Sequence, residues 1–349
     1  MKLALARHAA ILSVMLCWLS PAFADSIAAV IDGKSGRYKF LASAQKPWRI
    51  CALIPHAKDP FFAAVGLGLV RQAADEKVQL GIYQAGGYEF PNEQRRQIKG
   101  CIAAHADAIV IAAINSEVLE EEKAELAARK IPVIDMLNGA ESDIVAAHAR
   151  QDFAMSGAMA ARFAIRADRR APLRVATFPG PPGAAWAIGF DKGMRETLAA
   201  GSEGGKVTLI EGGWGATDRD TQATLVRQLA SQGPVDVIIA NAVAAVVAAR
   251  FYEGRKEAPR IFSYYPNGEA IEAIMQGKIA GMVGFSPLSE ARISLDLAVR
   301  LLQGQKVPQL VSTRVTLVTR ANITEFLKNE FGGGTGVRVP VLALPPYGE

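Results

Sequence analysis

Histidine serves as base, proton shuttle and metal ligand alike, so it is the first residue type to weigh for chemistry. Beyond His8 the chain has only His56, His105 and His148, whose scatter gives no metal-ligand spacing such as two on one helix turn. Pro179-Gly180-Pro181-Pro182-Gly183 has the glycines of a phosphate loop, but no Lys-Ser/Thr ending follows and three prolines remove backbone donors. It reads as a tight strand-to-helix turn. Neither a GxSxG elbow nor a GxGxxG fingerprint occurs, so hydrolase and dehydrogenase readings lose their support. The expectation is a binding protein with no catalytic residue, no metal and no cofactor.

The residues suited to recognition lie where a particular architecture would gather them. From Trp48 onward, short apolar runs alternate with longer amphipathic stretches, the βαβα pattern of a parallel sheet covered on both faces. Strands are expected at 49–54, 79–83, 108–112 and 133–136, with helices at 60–76, 91–105 and 116–129. A second set follows, with strands at 175–178, 206–211, 235–240 and 260–264 and helices at 153–166, 186–199, 218–231, 244–252 and 268–276. A strand at 280–285, a helix at 288–302 and a Pro- and Gly-punctuated tail close the chain. The fold class is therefore α/β, two doubly wound parallel-sheet lobes in tandem joined by a hinge. The first lobe is expected over 48–148 plus about 286–312, and the second over 149–285 plus about 313–345, with 25–47 an N-terminal extension.

Parallel sheets bind ligands beyond the carboxyl ends of their strands. That rule nominates Asp59, Phe61, Phe62, Tyr88 and Asn115 in the first lobe, and Trp186, Asn241 and Tyr265 in the second, with Asp152 at the first lobe crossing. Each has a plainer reading. Asp59 and Asp152 can cap helices, Asn115 and Asn241 can satisfy turns, Trp186 can pack between lobes, and one of Phe61 and Phe62 can pack inside its own lobe.

The N-terminus reads as an export signal. Lys2 and Arg7 precede an apolar stretch at 9–19, and Pro21-Ala22-Phe23-Ala24 ends in the small-x-small pattern of a cleavage site, so cleavage is expected between Ala24 and Asp25. The apolar run is short for a membrane span, and Cys17 lacks the small neighbours of a lipoprotein site. The alternative is a buried N-terminal helix. Export to the periplasm would leave Cys51 and Cys101 as the only thiols in an oxidising compartment, a disulfide candidate against the alternative of two separately buried thiols. The formal net charge of +5 falls to +3 once Lys2 and Arg7 leave, and no dense basic cluster interleaved with aromatics remains. Nucleic acid is a poor candidate partner.

Asp59-Pro60-Phe61-Phe62 resembles the Asn-Pro-Phe-Phe loop of ribose-type (type I) periplasmic binding proteins, and the order of elements from about 48 to 315 is similar throughout. Where those sugar binders have an arginine, an Asp-Arg pair, an aspartate and a late glutamine, this chain has Phe190, Leu137-Asn138, Tyr265 and Phe285. A sugar site stripped of such partners loses several kcal/mol, whereas aromatic faces suit methylated cations. Cys51-Ala52-Leu53-Ile54-Pro55 with Lys58-Asp59, Ala85-Gly86-Gly87-Tyr88, Cys101, Pro179-Gly180-Pro181 and Ala242-Val243-Ala244 are similar to the branch that senses trimethylamine N-oxide. In that branch Phe62 stands at a Trp position, Tyr88 and Tyr265 match tyrosines, and Asp152 stands at a second Trp position. The resemblance implies capture of a small molecule, then docking on the periplasmic domain of a membrane sensor histidine kinase. The alternative partner is an ABC permease.

Overall fold

The structure, a computed structural model, describes residues 26–167, 172–200, 207–327 and 341–346. The expected export signal and its cleavage site lie outside the described residues.

The described residues open with a hairpin, β1 (Ser26–Ile31) and β2 (Lys34–Lys39), where an extension without assigned structure was expected. Its turn is Asp32-Gly33, with φ of 46° and 78°, the Asp-Gly pairing that a tight hairpin favours. Then follow β3 (Arg49–Ile54), α1 (Phe61–Glu76), β4 (Gln79–Gln84), α2 (Pro91–Ala103), β5 (Ala108–Ile111), a 3-10 turn (Ser116–Leu119), α3 (Lys123–Ala128), β6 (Val133–Met136) and β7 (Val145–Ala149). The single helix expected at 116–129 is broken. Val118 and Leu119 are both fully buried, and the next three residues diverge: Glu120 to Lys123, Glu121 to Arg95, Glu122 to Lys99.

The second lobe holds α4 (Phe153–Ala167), β8 (Leu173–Phe178), α5 (Ala185–Ala200), β9 (Val207–Glu211), α6 (Arg219–Ser231), β10 (Val237–Ala240), α7 (Ala242–Phe251), β11 (Arg260–Ser263), α8 (Gly268–Met275) and β12 (Gly281–Gly284). The chain returns to the first lobe for α9 (Pro287–Leu302) and β13 (Leu310–Thr313), then to the second for β14 (Thr316–Val318) and α10 (Ile323–Phe326). Between residues 26 and 327 the described residues cross between the lobes at 150–152, 285–286 and 314–315.

The first sheet runs β2-β1-β13-β7-β6-β5-β3-β4 and the second β14-β12-β11-β10-β8-β9. Pairing is parallel except at β1–β2, β1–β13 and β12–β14. Every residue of β3, β5, β6, β10 and β12 is buried, as strands covered on both faces require. The tail was expected with the second lobe, but residues 341–346 lie on the first: Leu342 bridges Ile82, and Arg49 Nη2 donates to the Pro345 carbonyl at 2.7 Å. Leu344 supplies the physical reason, since it is 9% exposed and joins the core beneath β4.

Helix contacts fix the lobes internally. A Cβ on Gly68 of α1 would stand 2.2 Å from the Leu288 carbonyl oxygen of α9, and one on Gly193 of α5 would stand 1.9 Å from that of Ala154 in α4. Cys51 in β3 and Cys101 in α2 are bonded, their Cα atoms 6.2 Å apart.

Candidate functional site

In both sheets the strand order reverses around a central pair, and the loops there open toward the other lobe. After β3, Asp59 turns back to accept from Phe61 N at 2.9 Å. This turn sets Phe61 and Phe62 at the head of α1, both buried. Tyr88 follows β4, Leu137 and Asn138 follow β6, Trp186 opens α5 and Tyr265 follows β11. Together they enclose a cavity of about 40 Å³ between the lobes, roughly three to four times the ~10–15 Å³ that a single water needs.

Among the described residues, four hydrogen bonds join one lobe to the other around this space. Tyr265 Oη donates to Asp59 Oδ2 at 2.6 Å, and Asn267 Nδ2 donates to Asp59 Oδ1 at 3.1 Å. Trp186 Nε1 donates to Tyr88 Oη at 2.8 Å, and His56 Nε2 lies 3.2 Å from Thr217 Oγ1. The lobes are closed on each other. Edge-to-face contacts continue across the same seam, Phe61 to Tyr265 at 5.4 Å and Tyr88 to Trp186 at 6.2 Å between ring centroids.

Burial shapes the electrostatics. It raises the pKa of Asp59, opposed by the donors Tyr265, Phe61 N and Asn267. It also raises the Tyr88 and Tyr265 phenols, the latter further through Asp59. His56 is pushed down to about 4, first by burial and then by Lys58. Glu290 is pushed up to about 8 by burial, against Thr313, Gln151 and Arg150.

Six of the nominated residues, Asp59, Phe61, Phe62, Tyr88, Trp186 and Tyr265, line the cavity. Three do not. Asp152 is exposed and accepts from Met155 N at 2.9 Å as a cap of α4, and its neighbour Phe153 turns inward in its place. Asn241 caps α7, accepting from Ala244 N at 2.9 Å and donating to the Phe178 carbonyl at 3.1 Å, which uses its amide within the lobe. Asn115 precedes the 3-10 turn and stands half-buried outside the cavity.

The cavity also takes Leu137, Asn138, Gln151, Thr217, Phe190, Phe285 and Glu290. Leu137, Asn138, Phe190 and Phe285, with Tyr265, occupy the positions where the chain departs from the sugar-binder pattern, so the departures themselves pointed to the site. Gln151 and Glu290 carried no such signal. Among the described residues, no group of three or more His, Cys, Asp or Glu is placed to hold a metal ion.

Two lobes closing on an aromatic cavity at their strand ends define a solute-binding protein, and the periplasmic binding protein domain model matches residues 50–306. The chain belongs to that family. It is 25% identical over 280 residues to periplasmic protein TorT of Escherichia coli K12, covering 80% of each chain. An ABC transporter solute-binding protein from Bradyrhizobium sp. BTAi1, solved with bound Bis-Tris, is 28% identical with a TM-score of 0.73, over 95% of this chain and 100% of that one. The complex of TorT with the TorS sensor domain, solved without ligand, shares the fold at 19% identity and a TM-score of 0.74, over 84% of this chain and 100% of that one.

Proposed function

We propose that this chain works in the periplasm, exported by the signal read in residues 1–24, and captures a small methylated amine between its lobes. Trimethylamine N-oxide is the solute we favour, and the role is binding, not turnover. The observation that carries this reading is the cavity, about 40 Å³, walled by Phe61, Phe62, Tyr88, Trp186 and Tyr265 with the buried Asp59 carboxyl among them. Methyl groups around a cationic nitrogen gain both dispersion and quadrupole attraction from such rings. A sugar would find few of the paired donors and acceptors it requires, because Phe190, Leu137 and Phe285 offer none.

A ligand touching both lobes favours the closed form only through its greater affinity for that form. Closure is then the signal, readable by a partner that contacts both lobes at once. The likeness to TorT supports a sensor histidine kinase as that partner. The Bradyrhizobium relative supports a second reading, receptor of an ABC permease, since its match extends over 95% of this chain. Bis-Tris, bound by the Bradyrhizobium relative, is itself a tertiary amine. Calorimetric titration of the mature protein decides the ligand. Binding of trimethylamine N-oxide is expected, whereas binding of ribose or xylose with indifference to amine oxides would replace the sensor reading with the transport reading.

A further inference from the structure

Glu290, in the first turn of α9, is fully buried and lines the cavity. Three donors converge on its Oε1: Thr313 N at 3.1 Å, Thr313 Oγ1 at 2.9 Å and the Gln151 side-chain amide. Its Oε2 is equally buried and has no partner among the described residues. A buried oxygen without a partner costs far more in an anion than in a neutral acid, and with Oε1 already receiving donors the proton belongs on Oε2. The upward shift of the carboxyl pKa to about 8 agrees with that assignment.

We propose that Glu290, as a neutral acid, donates its Oε2 proton to the acceptor oxygen of the captured solute, so that the site selects an amine oxide over its oxygen-free analogue. This rests on the reading of the cavity as a methylated-amine site and adds how the oxygen is recognised. The other unpartnered buried oxygen on this wall, Gln151 Oε1, is an acceptor and cannot serve. Asn138 Nδ2 already donates to Tyr88 Oη at 3.0 Å and to the Ala113 carbonyl at 2.9 Å. The position of Glu290 also couples ligand to hinge. Gln151 lies in the first crossing, Thr313 immediately precedes the third, and Ser286 N of the second donates to Thr313 Oγ1 at 3.0 Å.

Other ionisable groups lie on the elements packed against α9. Arg150 lies in the first crossing and pairs with Asp135 of β6, as does His148 of β7, Arg292 and Asp296 lie further along α9, and Arg71, Asp75 and Glu76 lie on α1. His56, Asp59, Tyr88 and Tyr265 belong to the cavity region. Glu76, pushed up to about 9 by burial and by Asp296, titrates in the same window, so a Glu290 variant is needed to separate the two.

The experiment is calorimetric titration of the mature protein with trimethylamine N-oxide and with tetramethylammonium, in which a methyl replaces the oxygen, at pH 6.5 and pH 9.5. Wild-type affinity for the amine oxide is expected to fall about tenfold or more at the higher pH as the acid ionises, with no such fall for tetramethylammonium. Glu290→Gln keeps a donor, so it should hold the amine-oxide affinity within about threefold and abolish the pH-dependent loss. Glu290→Leu should weaken amine-oxide binding about tenfold or more at pH 6.5. If Glu290→Leu does not fold, the wild-type and Glu290→Gln pH profiles decide alone. Amine-oxide binding that is flat with pH in the wild type, or equally pH-dependent in Glu290→Gln, overturns the role of Glu290 while leaving the amine reading intact. A wild-type protein that binds no amine oxide overturns both.

Discussion

Replacing Tyr265 with Phe removes one oxygen and isolates the latch between the lobes. The ring keeps its contacts with Phe61 at 5.4 Å and Trp186 at 5.7 Å, but Asp59 Oδ2 loses the donor 2.6 Å away. In the closed form Asp59 is 3% exposed, so water cannot readily replace that donor, whereas opening the cleft separates the two lobes that hold the pair. The loss therefore falls on closure. A buried acceptor left without its donor costs about 1–3 kcal/mol, and since the ligand binds the closed form, that amount passes into affinity as about a fivefold to hundredfold weakening. The lobes themselves should melt almost as before. Calorimetry gives the affinity and small-angle scattering the ligand-induced compaction. Unchanged affinity with unchanged compaction in Tyr265→Phe would refute the latch.

Three further outcomes follow from the same structure. His56 is 2% exposed when the lobes are closed, and its pKa is lowered from 6.5 to about 4. Between those values the open form takes up a proton that the closed form refuses, so affinity should weaken as pH falls from 6.5 and level off near 4; a His56→Gln profile with the same slope would contradict this. The Cys51–Cys101 bond spans 50 residues, and in the chain-entropy model the Cys51→Ala/Cys101→Ala variant loses about 3–4 kcal/mol of first-lobe stability, measured by urea unfolding; unreduced wild-type protein should show no alkylatable thiol. Gly68→Ala forces a Cβ onto the Leu288 carbonyl oxygen 2.2 Å away and should cost about 1–3 kcal/mol by the same assay, so a neutral result would mean that α1 and α9 part easily.

The strands most legible in the sequence are those buried on both faces. β3 and β6 lie at 49–54 and 133–136 as read, because continuous runs such as Ile50-Cys51-Ala52-Leu53-Ile54 suit nothing else at that length. The hairpin escaped because β2 is exposed at all but one position, Tyr38, although Asp32-Gly33 announces the turn. β7 escaped because Val145–Ala149 is mostly alanine, and its place in the sheet depends on β6 and β13 from distant parts of the chain. At the site, rings that follow strand ends were readable from position alone. Asp152 and Asn241 were misread because a capping residue and a ligand-facing residue occupy the same kind of position. Gln151 and Glu290 were invisible for another reason: each is polar, lies on a lobe-crossing segment or its adjoining helix, and is directed inward by bonds to the other and to Thr313, all far apart in the chain.

The eight-stranded sheet has two outer strands, and each is protected against pairing with a neighbouring molecule. On β2 the exposed Lys34, Arg37 and Lys39 set like charges along the rim, so two copies meeting there would repel before their backbones could register. On β4 the protection comes from the chain's own tail, with Leu342 N donating to the Ile82 carbonyl at 3.1 Å and Ile82 N donating back at 2.8 Å. A chain cut before Val341 would keep its cleft and hinge yet bare that strand to other molecules. Its failure would be self-association at high concentration, a loss of colloidal stability with ligand recognition intact.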